Sequence, residues 1–238
     1  IGLLNADDHA PMSLVRECAA ALIGREVAGS IAAAVVQAWG LKVDHMRLIE
    51  TALILCADHE LNASAFAVRV AASTDADLPH ALIAGLATLS GAKHGGAAEE
   101  SRRLFEIVGS PERARDTVTE LLNRGERIPG FGHRLYPMGD PRARVLLQLI
   151  REAYPDSAQV ALADALIAAV FAITGLIPNV DYALALLENA ADLPGGSAVG
   201  LFALGRTAGW IAHALEQYAA HTLIRPRARY TGIAPEAT

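Results

Sequence analysis

The chain has 238 residues, of which 53% are hydrophobic and 5% aromatic, and its formal net charge is −6. This length and apolar content suffice for a large buried core in one or two domains. The negative charge argues against a general nucleic-acid-binding surface, so an anionic ligand would need a local cluster of positive groups.

Cysteine usage and apolar runs point to a protein of a reducing compartment. Cys18 and Cys56 lie in helical patterns and indicate neither a disulfide framework nor a metal site. The longest apolar run, residues 165–177, is too short to cross a bilayer. No signal peptide is evident, so we expect a cytoplasmic protein. Because the sequence begins at Ile1 rather than methionine, we expect a fragment or a processed product.

The first third of the chain predicts closely packed, alanine-rich helices. Apolar residues recur at helical spacing over 12–23, 31–39 (capped by Ser30), 44–57, 63–72 and 78–89. Between the third and fourth helices lies Asp58-His59-Glu60-Leu61-Asn62, a polar cluster that needs hydrogen-bond partners among its apolar neighbours. A capping cluster at a helix junction explains it without any function, and metal-ligand spacing is absent.

The segment Ser90 to Glu100 carries His94 between glycines, just before another predicted helix. The positive end of a helix keeps a neighbouring histidine neutral, so that the ring can donate a hydrogen bond without being a cation. A glycine turn that happens to carry a histidine explains the segment equally well.

The stretch Ile128 to Arg144 combines turn residues, His133 and three arginines. Gly130 and Gly132 permit a sharp turn that presents His133. Asp140-Pro141 predicts an N-cap followed by proline at the first helical position, with Arg142 in the first turn, placed to meet an anion. A capped loop with solvated arginines is the alternative. The Gly-x-Gly pattern lacks a third glycine and a preceding strand, so it does not indicate a dinucleotide site.

Further helices are predicted over 110–125, 141–154, 158–173 and 198–220, with Gly205 and Gly209 allowing close packing in the last. Asp181 lies in a break at 177–182, where a lone aspartate is more typical of a helix cap than of a base. Residues 193–196 predict a hinge, and the basic tail 223–230 an arm. Strand patterns and repeats are absent from the sequence, which therefore predicts an all-α protein.

Six motifs, in order and spacing, resemble those of the citrate synthase family and span residues from about 11 to 232. They are Asp58-His59-Glu60-Leu61-Asn62-Ala63-Ser64, Lys93-His94-Gly95-Gly96-Ala97, Gly130-Phe131-Gly132-His133-Arg134, Asp140-Pro141-Arg142-Ala143, Pro178-Asn179-Val180-Asp181 and Arg225-Pro226-Arg227.

The resemblance implies a multihelical homodimer with a large domain (1–96 and 196–238) and a smaller inserted domain (97–195). It also implies a further N-terminal portion of the large domain, which this sequence lacks. The implied reaction condenses acetyl-CoA with oxaloacetate to citrate and CoA. Acetyl-CoA is a substrate there, and no other cofactor or metal is expected, nor a nucleic-acid or membrane partner.

The resemblance also assigns roles to residues. Asp181 would remove a proton from the thioester methyl group, which a carboxylate can do only if a donor holds the enolate oxygen at the same moment. His94 would be that donor, and His133 would give a proton or hydrogen bond to the ketone oxygen of oxaloacetate. His59, Arg142 and Arg206 would hold oxaloacetate, and Arg225 would reach its carboxylate from the partner subunit. Lys93 and Arg134 are candidate CoA contacts.

The sequence departs from the family pattern at three places. Pro137 stands where many members carry a basic residue for the CoA phosphates, Ala98 replaces a common asparagine, and 182–185 replaces a small polar run. These departures leave alternatives open: a 2-methylcitrate synthase that uses propionyl-CoA, a citryl-CoA lyase, a non-catalytic paralogue that senses a CoA thioester or dicarboxylate, or a defective fragment.

Overall fold

A computed structural model describes residues 11–229 together with 231 and 232; the expectation about Ile1 lies outside this range. The described chain is built from α-helices, which confirms the all-α prediction. They are α1 (Pro11–Ile23), α2 (Ile31–Ala38), α3 (Met46–Cys56), α4 (Ala63–Ala72), α5 (Leu78–Leu89), α6 (Gly96–Val108), α7 (Ala114–Asn123), α8 (Pro141–Ala153), α9 (Ala158–Thr174), α10 (Val180–Ala190) and α11 (Ser197–Ala220). Single 3₁₀ turns, Val43–His45 and Pro111–Arg113, lead into α3 and α7.

The predicted helix starts are explained by side-chain caps. The Ser30 hydroxyl accepts a hydrogen bond from the backbone N–H of Ala33, and the Asp140 carboxylate accepts one from that of Arg142. In the polar cluster after α3, the Asn62 amide oxygen caps α4 by accepting from the N–H of Ala65 at 3.1 Å. These oxygens satisfy backbone donors that a helix start leaves without an intrahelical partner.

The sequence pattern does not predict α10. Residues 182–187 form a continuous apolar run, and every residue from Tyr182 to Glu188 is buried. It lies against α6, α8, α9 and α11. Periodicity alone does not separate so short an apolar run from a buried strand, so the pattern leaves this helix unassigned.

The long helix α11 packs mainly against the helices of the N-terminal part of the chain. It packs against α1, α3, α4 and α5, and also contacts α6 and α10. Its glycines permit the predicted close approach, since a Cβ atom on Gly209 would lie 2.1 Å from the carbonyl oxygen of Ala57. The backbone of α11 therefore touches the chain at the end of α3.

The helices form two packing groups, which meet where α3 contacts α8 and where α11 contacts α6 and α10. Helices α1, α3, α4 and α5 pack against α11, and α2 packs against α1 and α3, whereas α6–α10 pack with one another. The predicted division into domains at about 96 and 196 follows this grouping and stays a prediction. Across the described part of the chain, no helix is long and apolar enough to span a membrane.

Candidate active site

Two loops that are distant in sequence lie side by side and carry the central residues. The N–H of Gly132 donates to the carbonyl of Ile177 at 2.8 Å, and the N–H of Asn179 donates to the carbonyl of Gly130 at 2.9 Å. The Asn179 side-chain amide also donates to the carbonyl of Gly132. Because His133 ends one loop and Asp181 follows the other, this pairing brings them together.

Gly130 is required where the two loops meet. Its φ is +80°, a region that favours glycine, and a Cβ atom there would lie 2.7 Å from Ser101 Oγ and 2.9 Å from Tyr182 Cβ. Any side chain at this position would therefore add both backbone strain and overlap.

The paired loops form one wall of a cavity of about 200 Å³. Four residues predicted from the sequence line it: His94, His133, Arg142 and Asp181. The remaining lining residues are Asn62, Gly95, Ala98, Val180, Val199 and Phe202. A larger cavity of about 510 Å³, bordered by residues 136–144 and parts of α8 and α9, contains none of the predicted histidines or Asp181. We take the smaller cavity as the candidate site because it collects the titratable groups.

Asp181 lies in the first turn of α10 but does not cap it. The cap is Asn179, whose side-chain oxygen accepts from the N–H groups of Asp181 and Tyr182, so interpreting Asp181 as the cap is wrong. Burial raises the pKa of the Asp181 carboxyl from 3.8 to about 6; the charges of Arg142 and Arg206 oppose this rise and that of Asp140 adds to it. The carboxylate is therefore a stronger base than an ordinary aspartate.

The tautomer of His133 follows from its backbone contact. The N–H of Leu135 donates to His133 Nδ1 at 3.1 Å, so the neutral ring carries its proton on Nε2. Burial and the nearby charge of Arg142 lower the pKa of His133. The ring is thus a neutral donor.

His94 is held from behind by a serine that the sequence analysis did not single out. Its Nε2 lies 2.8 Å from Ser64 Oγ, which accepts a hydrogen bond from Trp210 Nε1 and donates one to Asn62 Oδ1. Burial, followed by the charge of Arg206, lowers the pKa of His94. His94 is therefore a neutral imidazole, and its Nδ1 makes none of these contacts.

Arg142 already holds an anion of its own chain. Its Nε and Nη2 donate to the two oxygens of Asp140 at 3.0 and 2.8 Å, and both side chains are buried. The Asp140 carboxylate also accepts from the N–H of Val180 at 3.0 Å. The alternative of solvated arginines is thus wrong for Arg142. This pair leaves both N–H groups of its Nη1 and the second N–H of its Nη2 for a ligand.

His59 and Arg206 border the same region from the α11 side. His59 Nε2 lies 3.0 Å from the Tyr136 hydroxyl, and its ring centroid is 5.1 Å from that of His133. Burial, then the charge of Arg142, lowers the pKa of His59 to about 4. Arg206 is 1% exposed and stacks on Phe202, which lines the cavity.

Arg206 carries an unsatisfied donor. Its Nε donates to the carbonyl of Cys56 at 2.7 Å, whereas its Nη2 is buried and has no hydrogen-bond partner among the residues that the structure describes. A buried guanidinium nitrogen without a partner is costly, which indicates that a ligand supplies one.

The other predicted contacts are not brought into the cavity. Lys93 and Arg134 are exposed beside His94 and His133, and Arg225 lies on the exposed tail after α11. Residues 11–229, 231 and 232 contain no cluster of three or more potential metal ligands. Ser64 and Tyr136 are the contacts that the sequence analysis missed, although both lie in stretches that it singled out.

Comparison with known proteins gives consistent matches. The sequence profile described as citrate synthase, C-terminal domain, matches residues 15–227. The chain is 43% identical over 187 residues to the citrate synthase of Haloferax volcanii, covering 77% of this chain and 49% of that protein. It is 40% identical over 200 residues to the citrate synthase of Saccharolobus solfataricus, covering 79% and 52%. The chain thus spans about half the length of the curated relatives that it matches.

Solved structures agree with the sequence matches. The ternary complex of citrate synthase from Thermoplasma acidophilum with carboxymethyl coenzyme A and oxaloacetate superposes with a TM-score of 0.83 at 29% identity, covering 96% of this chain and 67% of that one. Citryl-CoA lyase from Hydrogenobacter thermophilus superposes with a TM-score of 0.78 at 27% identity and covers 91% of both chains. From its fold, its motifs and these matches, the chain belongs to the citrate synthase family.

Proposed function

We propose that this chain condenses acetyl-CoA with oxaloacetate to give citrate and CoA. The observation that carries the proposal is the meeting of Asp181, His94 and His133 around one cavity of about 200 Å³. A carboxylate and two neutral imidazoles are the groups needed to form an enolate and to direct it to a ketone. The reaction requires no metal or redox cofactor, because the chain's own groups supply the base and the donors.

Asp181 acts as the base in this proposal. With a pKa of about 6 it is ionised at neutral pH, yet it holds a proton more tightly than an ordinary aspartate does. It takes a proton from the methyl group of acetyl-CoA, and the electrons of that C–H bond move toward the thioester oxygen. A donor must meet the negative charge that develops there.

His94 is the proposed donor, and Ser64 sets which ring nitrogen carries the proton. With the Ser64 proton directed to Asn62, the ring donates from Nε2 to Ser64 and its Nδ1 is bare. When the Ser64 proton turns to His94 Nε2, the ring proton resides on Nδ1 and can be donated to the thioester oxygen. We therefore expect Ser64→Ala to lower turnover even though Ser64 touches no substrate.

Oxaloacetate is proposed to bind between the two packing groups. Arg206 Nη2 supplies a buried donor without a partner, Arg142 contributes Nη1, and His59 is a neutral imidazole. The His133 Nε2–H then donates to the ketone oxygen while the enolate carbon attacks the ketone carbon. Water cleaves the resulting citryl-CoA thioester and releases CoA.

CoA is too large for this cavity and must extend over the surface beside it. Lys93 and Arg134 flank the two histidines and are exposed, so both are available to its phosphates. We propose them as CoA contacts in place of the basic residue that Pro137 cannot provide.

We further propose a homodimer, in the cytoplasm, with a shared active site. Exposed large apolar side chains occur on and between α3, α4 and α5: Ile54, Leu61, Phe66, Ile83 and Leu86. Such a set favours burial against a second copy. Arg225, which lies outside its own cavity, would then reach the partner's oxaloacetate. Cys18 and Cys56 are free thiols, consistent with a reducing compartment.

The direct test is release of thiol and formation of citrate from acetyl-CoA and oxaloacetate. We expect turnover by the parent, none without oxaloacetate, and strong loss in Asp181→Asn. Binding of oxaloacetate without any CoA release would instead identify a non-catalytic sensor and contradict the proposal.

A citryl-CoA lyase is the second candidate, and one observation favours it. The lyase from Hydrogenobacter thermophilus superposes with a TM-score of 0.78 at 27% identity, so the same fold also carries the cleavage of citryl-CoA. Cleavage uses the same enolate in reverse but does not need thioester hydrolysis. Citryl-CoA as substrate separates the two: acetyl-CoA plus oxaloacetate as products indicate the lyase, and citrate plus CoA indicate the synthase.

A further inference from the structure

A charged chain of side chains lies next to His59, on the side of α11. His213 Nε2 lies 3.2 Å from Asp58 Oδ1, and Arg69 Nε donates to His213 Nδ1 at 2.9 Å. Arg69 also forms an ion pair with Glu216 through Nη2. The sequence analysis gave His213, Arg69 and Glu216 no role, and none of them lines the candidate cavity.

The direction of every hydrogen bond in this array is fixed. A guanidinium group can only donate, so Nδ1 of His213 must be unprotonated in order to accept from Arg69. The ring proton is therefore on Nε2, which donates to the Asp58 carboxylate. Arg69 thus selects the tautomer of His213, as a carboxylate or carbonyl does for many functional histidines.

The turn after Asp58 needs such support. Glu60 has φ of +53°, a left-handed conformation that is unfavourable for a residue with a side chain. His59 therefore lies between Asp58 and the strained Glu60, in the turn that joins α3 to α4. After this strained residue, the backbone N–H of Asn62 donates a hydrogen bond to the carbonyl of Glu60 at 3.0 Å.

The same face of α11 also contacts the residues just before Asp58. Arg206 donates to the carbonyl of Cys56, and Gly209 packs on the backbone of Ala57. Positions 206, 209 and 213 recur every three to four residues and so share one face of the helix. His213 extends this row of contacts by one turn, to the residue that precedes His59.

We propose that His213 is a positioning residue for His59. Held by Arg69 as a neutral Nε2–H donor, it fixes Asp58 and, through Asp58, the turn that presents the His59 ring toward Tyr136 and oxaloacetate. The role of His59 toward oxaloacetate rests on the proposed function. The hydrogen-bond directions among Arg69, His213 and Asp58 do not.

Replacing His213 tests whether it acts through His59. In His213→Leu we expect the KM for oxaloacetate to rise about tenfold, as for one lost hydrogen bond, with kcat and the KM for acetyl-CoA within about twofold of the parent. His213→Gln should restore the parent values, because its Oε1 can accept from Arg69 and its Nε2 can donate to Asp58. His221→Asn, on the exposed end of α11, is the matched control and should leave all values unchanged.

A second readout does not depend on activity. Nitrogen NMR of selectively labelled histidines should show His213 unprotonated at Nδ1 and protonated at Nε2. The His59 ring signals should move in His213→Leu and not in His213→Gln. If His213→Leu does not fold, Asp58→Ala removes the same bond from the exposed side and should raise the KM for oxaloacetate in the same way.

The outcomes separate the two proposals. Equal effects of Leu and Gln, a change confined to kcat, or a proton on His213 Nδ1 would each overturn the positioning role. A parent enzyme without turnover or oxaloacetate binding would overturn the proposed function, while the expected NMR pattern would still support the orientation of His59 by His213.

Discussion

At the scale of a single residue, Asp181 is the base of the proposed reaction, and its carboxylate is poorly solvated. The folded protein holds its proton up to a pH of about 6, whereas the unfolded chain releases it near 3.8. Ionisation of Asp181 therefore costs folding free energy progressively between about pH 4 and 6, and the full cost applies above pH 6.

We predict that Asp181→Asn is inactive but more stable at neutral pH. Turnover should fall by several orders of magnitude while oxaloacetate binding persists, because the base is lost and the anion contacts remain. The free energy of unfolding should rise by roughly 1–3 kcal/mol at pH 7. Thermal unfolding at pH 7 and at pH 4 checks this, with Asp156→Asn on the surface as control. A gain of the same size at pH 4 would contradict the assigned pKa.

The pH dependence of the reaction reports the same group. Because the proton on Asp181 blocks base catalysis, kcat/KM should decrease about tenfold per pH unit below pH 6. His59, with a pKa of about 4, is neutral throughout this range and should not contribute. Steady-state kinetics between pH 5 and 8 measure the limb. A kcat/KM that stays constant down to pH 5 would contradict the raised pKa of Asp181.

At the scale of elements, the site depends on the pairing of two loops that the sequence does not connect. Gly130 and Asn179 lie 49 positions apart, and the bond between them joins two backbones. The position of His133 relative to Asp181 is therefore only as well defined as this contact.

We predict that Gly130→Ala displaces the loop. It combines strain at a positive φ with overlap on Ser101 and Tyr182, so unfolding free energy should fall by roughly 2–4 kcal/mol and kcat should fall with it. Gly125→Ala is the matched control, since Gly125 also has a positive φ but a Cβ atom there would meet nothing within 4 Å. It should lose only the strain, about 1 kcal/mol, and keep its kcat. Equal losses in both variants would mean that the loop contact is unimportant.

Elements with a local signal could be predicted from sequence. Ser30 and Asp140 mark helix starts because a capping side chain acts within one turn. The helix α10 could not be predicted, because its continuous apolar run at 182–187 fits a buried strand as well as a buried helix. His94 and His133 stood out by their glycine-rich surroundings and the polar cluster by its composition, whereas the resemblance supplied the roles of both histidines and of Asp181.

What the sequence could not provide is partner choice across space. Nothing in the pattern indicates that Arg142 pairs with Asp140 rather than awaiting a ligand, or that Ser64 lies behind His94. The contact of His213 with Asp58 spans 155 positions and depends on how α11 lies against α3. Such contacts follow from helix packing, which a single sequence does not encode in any local spacing.

At the scale of the whole molecule, the proposed dimer makes each site depend on two chains. Arg225 lies on an exposed tail outside its own cavity, whereas His133 lines the cavity of its own chain. In a dimer of one chain without Arg225 and one chain without His133, one site would therefore lack both side chains and the other site would have both.

We predict complementation between Arg225→Ala and His133→Ala. Each variant alone should be strongly impaired, the first through the KM for oxaloacetate and the second through kcat. When the two variants are combined in equal amounts and reassembled, about half of the dimers contain one chain of each. One of the two sites in such a dimer is intact, so about a quarter of parent activity should return. Activity no greater than the average of the two pure variants would mean that Arg225 serves its own chain or no site.

The carboxylate of Asp140 accepts hydrogen bonds both from the guanidinium group of Arg142 and from the backbone N–H of Val180, the first residue of α10. The guanidinium and the base are thereby fixed at a set spacing before any keto acid arrives. 2-Oxoglutarate, one methylene longer than oxaloacetate, could be accommodated only by loosening this shared grip. The contacts of Asp140 with Arg142 and Val180 should thus make the site discriminate between these two keto acids by their length, since their charge is the same.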